Sequence, residues 1–246
     1  MESKPDAQEL EALELLACTP HPINTQGFNH NAVLPFGCTI ADIQHAMNDF
    51  VDFLGFVNEQ LHTRQTPRLE SMLMAANFSS IVGEFMIANI PKYCSNLVRN
   101  RHHNGHPDLV PKGYYQDDDV LHGDQGIEIK ASRYLSGWQG HNREACWLMV
   151  FMFACNGRED TEDDSRATIF TNRKQKAFIK PKPFRFVRVV GAQLTEDDWS
   201  LSGRSATSRR TITSSVLKSG YEKMMDNWIY RDSLILPKPN LQLSML

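Results

Sequence analysis

The longest run of apolar residues in the chain, CWLMVFMFAC at 146–155, restricts the fold more than any other feature of the sequence. A transmembrane helix needs about 20 apolar residues, so this run is too short to cross a bilayer. A short apolar run bounded by polar segments is typical of a buried strand. The sequence therefore predicts a sheet that contains this segment, and it predicts no transmembrane helix.

Upstream of this run, apolar residues recur at helical spacing in two stretches. Thr39 and Asp42 form a capping pair at the start of the first stretch, which predicts a helix of about six turns. Thr66 and Pro67 provide an N-cap and a first helical residue for the second stretch. We expect this second helix to end before Pro91, because proline disfavours the helix interior.

Downstream, the apolar residues fall into short runs separated by turn-forming residues, which is the pattern of strands. The predicted elements are strands that begin at 108–110 and lie at 126–132, 146–155 and 184–194, and a last helix at 214–228. Helices followed by strands and a final helix predict an α/β fold, with a mixed β-sheet flanked by helices.

The chain of 246 residues is predicted to form a single domain, because its apolar share is ordinary and no internal repeat is present. Its expected parts are a lead-in at 1–38, the helices and the core at 39–160, and a basic portion at 165–230. The net charge is only −3, but twelve of the 26 Lys and Arg residues lie in 165–195 and 199–221, which contain no acidic residue. The positive charge is therefore concentrated in the C-terminal third.

The chemistry is expected at 106–132, where Glu128 and Lys130 occupy one predicted strand and Asp108 begins the preceding one. Residues two apart on a strand share a face, and a hairpin would bring Asp108 beside them. Two carboxylates suit a hard cation such as Mg²⁺. A lysine next to a metal-bound water can orient it, so this set predicts phosphodiester hydrolysis.

Pro107, Asp108, Glu128 and Lys130 match the signature of the PD-(D/E)xK nuclease superfamily, which this segment resembles. The order of predicted elements is also similar to that of the superfamily over about residues 70–160. The resemblance implies a restriction-endonuclease-like fold.

The resemblance further implies roles for single residues. Asp108 and Glu128 would ligate Mg²⁺, and the backbone carbonyl of Ile129 could join them. Lys130 would act on the attacking water. Glu84, on the helix before the motif, would assist.

Other interpretations of the acidic residues stay open at this point. Glu128 and Lys130 could form an ion pair on a solvated strand face, and Glu84 could lie on the polar side of an amphipathic helix. A polar stretch contains four further acids that are either rival metal ligands or part of a hairpin loop: Asp117, Asp118, Asp119 and Asp124.

The histidine-rich stretch at 99–106 suggests two further sites. His102, His103 and His106 could bind zinc together with Cys94, but the second cysteine of such a site is absent. The adjacent His102, His103 and Asn104 suggest a His-Asn-His type nuclease, which would need a further spaced asparagine and histidine. The five cysteines are widely spaced and predict neither a disulfide framework nor a zinc ribbon.

Cations beside an acidic site are expected to bind a nucleic acid through its phosphates, since Arg, Lys, Ser and Thr all donate to phosphate oxygens. The basic run continues through Lys180, Lys182, Arg185 and Arg188. The candidate DNA-binding residues are Arg133, Gln139, His141, Asn142, Arg173, Lys174, Lys176, Arg204, Arg209 and Arg210. Solvated turns and loops are the alternative interpretation for each group.

These observations favour a Mg²⁺-dependent DNA endonuclease. The size of the chain and the resemblance imply the Type II restriction kind, which acts on double-stranded DNA as a homodimer. The sequence contains no Walker A motif, so no nucleotide cofactor is expected. No signal peptide is evident at the N-terminus, and a cytoplasmic location with no membrane partner is expected. A structure-selective repair, recombination or phage nuclease and a non-catalytic DNA-binding protein are the alternatives.

Overall fold

Residues 5–140, 143, 145–157, 180–202 and 213–232 are described by a computed structural model. The helices are α1 (Ala7–Ala17), α2 (Ile40–His62), α3 (Leu69–Met72), α4 (Ala75–Tyr93) and α5 (Lys218–Asp226). The strands are β1 (Leu97–Arg99), β2 (Leu109–Pro111), β3 (Ile127–Ser132), β4 (Gln139–Gly140), β5 (Trp147–Ala154), β6 (Arg185–Gln193), β7 (Trp199–Ser202), β8 (Thr213–Val216) and β9 (Trp228–Arg231). Within these ranges, no helix combines the length and the apolar character that a membrane span requires.

Six strands form a mixed sheet in the order β1-β2-β3-β5-β6-β9. β3 and β5 run parallel, and the other neighbouring strands run antiparallel. A second, three-stranded sheet has the order β4-β8-β7. The apolar run at 146–155 supplies β5, which pairs with a strand on each side, and its predicted burial is confirmed.

The two faces of the large sheet pack against different partners. Met149 and Phe151 of β5 belong to a core shared with Phe50 of α2 and Met86 of α4. Side chains alternate between the faces of a strand, so Leu148, Val150 and Met152 join a second core with residues of α5 and the small sheet. The predicted α/β class, a mixed sheet flanked by helices, is therefore confirmed.

The first predicted helix is confirmed as α2, and Thr39 and Asp42 form the predicted capping box. The second prediction is wrong at both ends. Thr66 does not cap a helix, because its hydroxyl donates to the Arg64 carbonyl, and α3 and α4 are separate helices. The helix also passes through Pro91, which lies in the last turn, and the amide of Cys94 still donates to the carbonyl of Ile90 at 3.0 Å.

The predicted helix at 214–228 is also wrong at both ends. Its start belongs to β8, which pairs with both β4 and β7, and Trp228 begins β9, which pairs with β6. Only α5 between them is helical. Pairing with distant strands overrides local helical periodicity here, and a single sequence does not reveal such partners. β1 and β7 also form by pairing with other strands, and this is why the sequence did not predict them.

Candidate active site

The hairpin of β2 and β3 opens next to the predicted catalytic residues. The two strands pair at a single position, Leu109 with Ile127, and then diverge. Asp108 lies just before β2, and its Oδ2 accepts a hydrogen bond from the Ile129 amide at 2.8 Å. The carboxylate therefore takes the place of a strand partner, and the predicted position of Asp108 beside the Glu128 strand is confirmed.

A cleft of about 510 Å³ lies at this opening, between α4 and the hairpin. The five residues that the sequence assigned to catalysis and metal binding all line it: Glu84, Asp108, Glu128, Ile129 and Lys130. Gly83 of α4 also borders the cleft, and a Cβ atom added there would meet no atom within 4 Å. The helix thus leaves open space opposite the carboxylates.

Glu128 is the most constrained acid of the cleft, because its side chain is 9% exposed. Its Oε2 lies 2.8 Å from His106 Nδ1, and its Oε1 pairs with Lys130 Nζ. Burial acts to raise the pKa of this carboxyl, but the His106 hydrogen bond and the Lys130 charge outweigh burial and lower the pKa from 4.5 to about 2. Glu128 is therefore an anion over the whole physiological pH range.

Asp108 has the opposite shift. Its burial and the negative charge of nearby Glu128 raise the pKa of its carboxyl from 3.8 to about 7, although the Ile129 amide and the charges of Lys130 and His106 act in the other direction. Two carboxylates in one poorly solvated cleft repel each other, and the local cations do not fully compensate. A further cation would stabilise Asp108 in its charged form.

The donor atoms fit a hard divalent cation. The N–H and C=O groups of one strand residue point to the same side, so the Ile129 carbonyl faces the side on which its amide binds Asp108. Two carboxylates and a carbonyl are oxygen ligands, which Mg²⁺ prefers, and the open cleft leaves room for the waters that it keeps. Asp108, Glu128 and Ile129 would hold the ion.

A second cluster with metal-ligating atoms lies elsewhere, and its chemistry is different. Ligand atoms of Cys38, Asp42 and Cys94 lie within 4.8 Å of one another. Burial raises the pKa of the Cys38 thiol, and Asp42 already accepts the Thr39 amide at the start of α2. A protonated, buried thiol is a poor ligand for Mg²⁺, so this cluster does not compete for the ion.

Glu84 lies on the opposite wall of the cleft, on α4. Its side chain is 60% exposed, and one of its oxygens lies 2.6 Å from Arg99 Nη2 on β1. An exposed ion pair of this kind contributes little to stability. The pair brings a guanidinium to the rim of the cleft.

His106 is a site residue that the sequence pointed to only as a possible zinc ligand. The sequence signal that could have identified it is its position immediately before Pro107 and Asp108. A cis peptide bond joins His106 to Pro107. The other zinc candidates lie apart from it: His102 Nδ1 is 2.6 Å from Asp119 Oδ1, and Cys94 lies beside Cys38. The zinc hypothesis does not account for these contacts.

A second cleft of about 530 Å³ adjoins the first, and the two clefts share His106 and His122. Tyr115, Asp124 and Arg143 also line it. Of the rival acids, Asp118 accepts the Gly113 amide within the loop at 2.6 Å. This contact favours the loop interpretation of the acidic stretch.

The candidate DNA-binding residues are only partly within the described ranges. Arg133 donates to the Cys155 carbonyl at 3.1 Å, and Gln139 is exposed on β4. Arg185 binds Asp232 at 3.1 Å and Arg188 is buried, so these two do not form the exposed charged surface that the basic run suggested. The remaining candidates lie outside the described residues: His141, Asn142, Arg173, Lys174, Lys176, Arg204, Arg209 and Arg210.

Comparison with known proteins adds no relative to this description. The chain matches no family model, no curated protein and no solved structure with which it was compared. The cleft and its residues are therefore the basis on which a function is proposed.

Proposed function

We propose that this protein is a Mg²⁺-dependent phosphodiester hydrolase, a DNA endonuclease on a restriction-endonuclease-like scaffold. The observation that carries the proposal is that Asp108, Glu128 and Lys130 line one cleft. Two carboxylates with opposite pKa shifts and a lysine in a single cleft are typical of a catalytic site. An ion pair on a solvated strand face would not require a cleft or a buried carboxylate.

The side chains of the cleft have different roles in the proposed reaction. Asp108 and Glu128 hold the cation, and His106 keeps the Glu128 carboxylate in place through Nδ1. Lys130, which is 24% exposed, orients the attacking water and stabilises negative charge that develops on it. When it is bound, Mg²⁺ lowers the pKa of water and neutralises charge on the phosphodiester.

DNA is the proposed substrate because the clefts are open and cations stand beside the acids. Arg143 lines the second cleft and Arg99 pairs with Glu84 of the first, and a polyanion needs such charges near a carboxylate site. The resemblance at Pro107, Asp108, Glu128 and Lys130 favours a sequence-specific restriction role in the cytoplasm. Cleavage of both strands of a palindrome calls for two sites, so we propose a homodimer.

Incubation of the purified protein with plasmid DNA and Mg²⁺ tests the proposal. We expect discrete fragments from the wild type. We expect at least a hundredfold slower cleavage by Asp108→Asn and Lys130→Met, because each loses a group that acts in the transition state. Exposed Lys112→Met is the matched control and should cleave at the wild-type rate.

The other outcomes are equally informative. Nicking or a smear would indicate a structure-selective nuclease in place of a restriction enzyme. Retarded migration of the plasmid without cleavage would indicate a non-catalytic DNA-binding protein. Unchanged cleavage by both Asp108→Asn and Lys130→Met would remove the cleft from the chemistry.

A further inference from the structure

Two arginines lie side by side at the far side of the large sheet from β1. Arg188 of β6 and Arg231 of β9 are direct cross-strand neighbours. Arg188 is only 9% exposed, and its Nη1 donates to the Met225 sulfur of α5 at 3.3 Å. Within the described ranges, the Nε atoms of both arginines are buried and have no hydrogen-bond acceptor.

Other arginines in the interior have anionic partners. Arg68 binds two glutamates, and Arg185 binds Asp232. By contrast, no carboxylate in the described part of the chain forms an ion pair with Arg188 or Arg231. Burial and the positive charge of Arg231 lower the pKa of Arg188. A buried cation beside a second, partly buried cation is costly unless an anion joins them.

The packing of Arg231 covers the flat face of its guanidinium group and leaves the N–H groups at the edge to bind an anion. The Cζ atom of Arg231 lies 5.0 Å from the centre of the Trp228 ring, a distance at which a guanidinium stacks on an aromatic face. Such stacking occupies the face of the group and does not use its N–H donors. Among the described residues, the site therefore presents N–H donors and positive charge, and the acceptor that Arg188 has there is the weakly accepting Met225 sulfur.

The pair also lies on the face of the sheet that carries the catalytic lysine. Arg188 is paired with Met152, and Met152 with Ser132, which shares a face with Lys130. Neighbouring strands are about 4.8 Å apart, so Arg188 lies about 10 Å from Ser132 along this row. Phosphates of a nucleic acid bound at the cleft could reach this distance.

We infer that Arg188 and Arg231 bind one phosphate group between them. A phosphate offers several acceptor oxygens and its negative charge, and the fork of an arginine matches this geometry. The phosphate is either inorganic or part of a DNA backbone. Only the assignment to DNA depends on the proposed function.

Thermal unfolding with inorganic phosphate tests the site itself, with chloride at equal ionic strength as the reference. We expect phosphate to raise the Tm of the wild type by about 2–4 °C. The Tm of Arg188→Met and of Arg231→Met should not respond. In the chloride buffer, Arg188→Met should unfold at the wild-type temperature or above it, since it removes an uncompensated buried charge.

Arg185→Met is the matched control, because it loses an arginine that has an acid partner. It should unfold at a lower temperature in both buffers and still gain stability from phosphate. Equal phosphate responses in the wild type and in both site variants would overturn the inference. A wild type that does not respond to phosphate would overturn it as well. If Arg188→Met does not fold, Arg231→Met decides.

Binding of duplex DNA, with Ca²⁺ in place of Mg²⁺, identifies the source of the phosphate. If the source is the DNA backbone, Arg188→Met should reduce the slope of log affinity against log salt by about 0.9, the value for one phosphate. If the slope is the same for Arg188→Met and the wild type, and phosphate still raises the Tm of the wild type, the site binds inorganic phosphate and not the DNA backbone. The thermal measurement does not depend on cleavage. A wild type that fails to cleave plasmid would therefore contradict the proposed function without contradicting the phosphate site.

Discussion

Two groups of buried charges in this protein differ in how completely their partners satisfy them. The first, the Arg68 cluster, consists of Glu14, Asn58, Arg68, Glu70 and Asn156. The second, the Asp108 cluster, consists of His106, Asp108, Glu128 and Lys130. The first is closed by its own hydrogen bonds, and the second opens into a cleft.

In the Arg68 cluster, each nitrogen of the guanidinium has an acceptor. Arg68 donates to Glu14 at 3.0 Å, to Glu70 at 2.7 Å and to the Lys182 carbonyl at 3.0 Å, and Asn156 accepts from its last nitrogen at 3.0 Å. The contacts join four distant parts of the chain. Such a network stabilises the fold and engages every nitrogen of the guanidinium within the protein.

In the Asp108 cluster, the charges are not balanced. Glu128 is paired with His106 and Lys130, whereas the acceptor contact of Asp108 among the described residues is with a backbone amide, and Asp108 is repelled by the charge of Glu128. This arrangement costs stability in the absence of a ligand. A buried charge that is unsatisfied beside a cleft is a candidate for ligand binding, whereas a satisfied one is expected to stabilise the fold.

The largest effect is expected in the closed cluster. Arg68→Met leaves Glu70 buried without its cation, so we expect the free energy of unfolding to fall by about 3–5 kcal/mol. Urea denaturation measures this loss. Exposed Arg64→Met is the control and should change the free energy by less than about 0.5 kcal/mol. Similar values for the two variants would refute the structural role of the cluster.

The opposite sign is expected in the open cluster. The folded pKa of Asp108, about 7, lies above its ordinary value of 3.8, so the unfolded chain loses this proton first as the pH rises. This carboxyl therefore lowers the stability of the wild type between pH 4 and pH 7 and leaves it lower above pH 7. In EDTA at pH 8, Asp108→Asn should be more stable by about 1–2 kcal/mol, a value reduced for solvent that reaches the carboxyl.

Denaturation curves across this pH range measure the effect of Asp108. The difference in the free energy of unfolding between Asp108→Asn and the wild type should vanish below pH 4, where the Asp108 carboxyl is protonated in both the folded and the unfolded state. A variant that is less stable than the wild type at pH 8 in EDTA would show that Asp108 is a structural residue.

A smaller effect is expected from the residue that holds Glu128. His106→Ala removes the hydrogen bond to Oε2, so the carboxylate loses its fixed orientation. Partners of metal ligands typically contribute about tenfold or more to metal affinity. We expect the Mg²⁺ concentration for half-maximal cleavage to rise about tenfold. Exposed His103→Ala should leave it unchanged, and an equal rise in both variants would argue against the contact.

The smallest effect is expected at Glu84. Because Glu84 and Arg99 are both mostly exposed, Glu84→Gln should change the free energy of unfolding by less than about 0.5 kcal/mol. If Glu84 only assists, the rate of cleavage by Glu84→Gln should fall less than tenfold, compared with at least a hundredfold for Asp108→Asn. A loss as large as that of Asp108→Asn would place Glu84 among the essential groups.

The sequence predicted those positions in the site that follow from the pattern of strands. Glu128 and Lys130 share a face through the two-residue period of a strand, and the hairpin brings Asp108 beside them. The contact of His106 was not predicted, since His106 lies in the loop before the strand, where no periodicity fixes the direction of a side chain. Only the tertiary structure reveals that this histidine, and not its neighbours, faces Glu128.

The fold was predicted where periodicity is strong and missed where distant pairing decides. The start of α2 and the burial of β5 followed from capping and from an unbroken apolar run. The segment at 213–216 is a strand because β4 and β7 lie on either side of it. Likewise, the position of Arg188 opposite Arg231 depends on pairing between strands that are far apart in the sequence.

The proposed hydrolysis requires a cation site, which Asp108, Glu128 and the Ile129 carbonyl would form. Crystals soaked in Mn²⁺, which has oxygen ligands like those of Mg²⁺ and scatters anomalously, test it directly. We predict an anomalous peak about 2.0–2.3 Å from these oxygens, and its loss in Asp108→Asn. A wild-type cleft that stays without a peak at saturating Mn²⁺, or an ion bound only at Cys38, Asp42 and Cys94, would contradict the account.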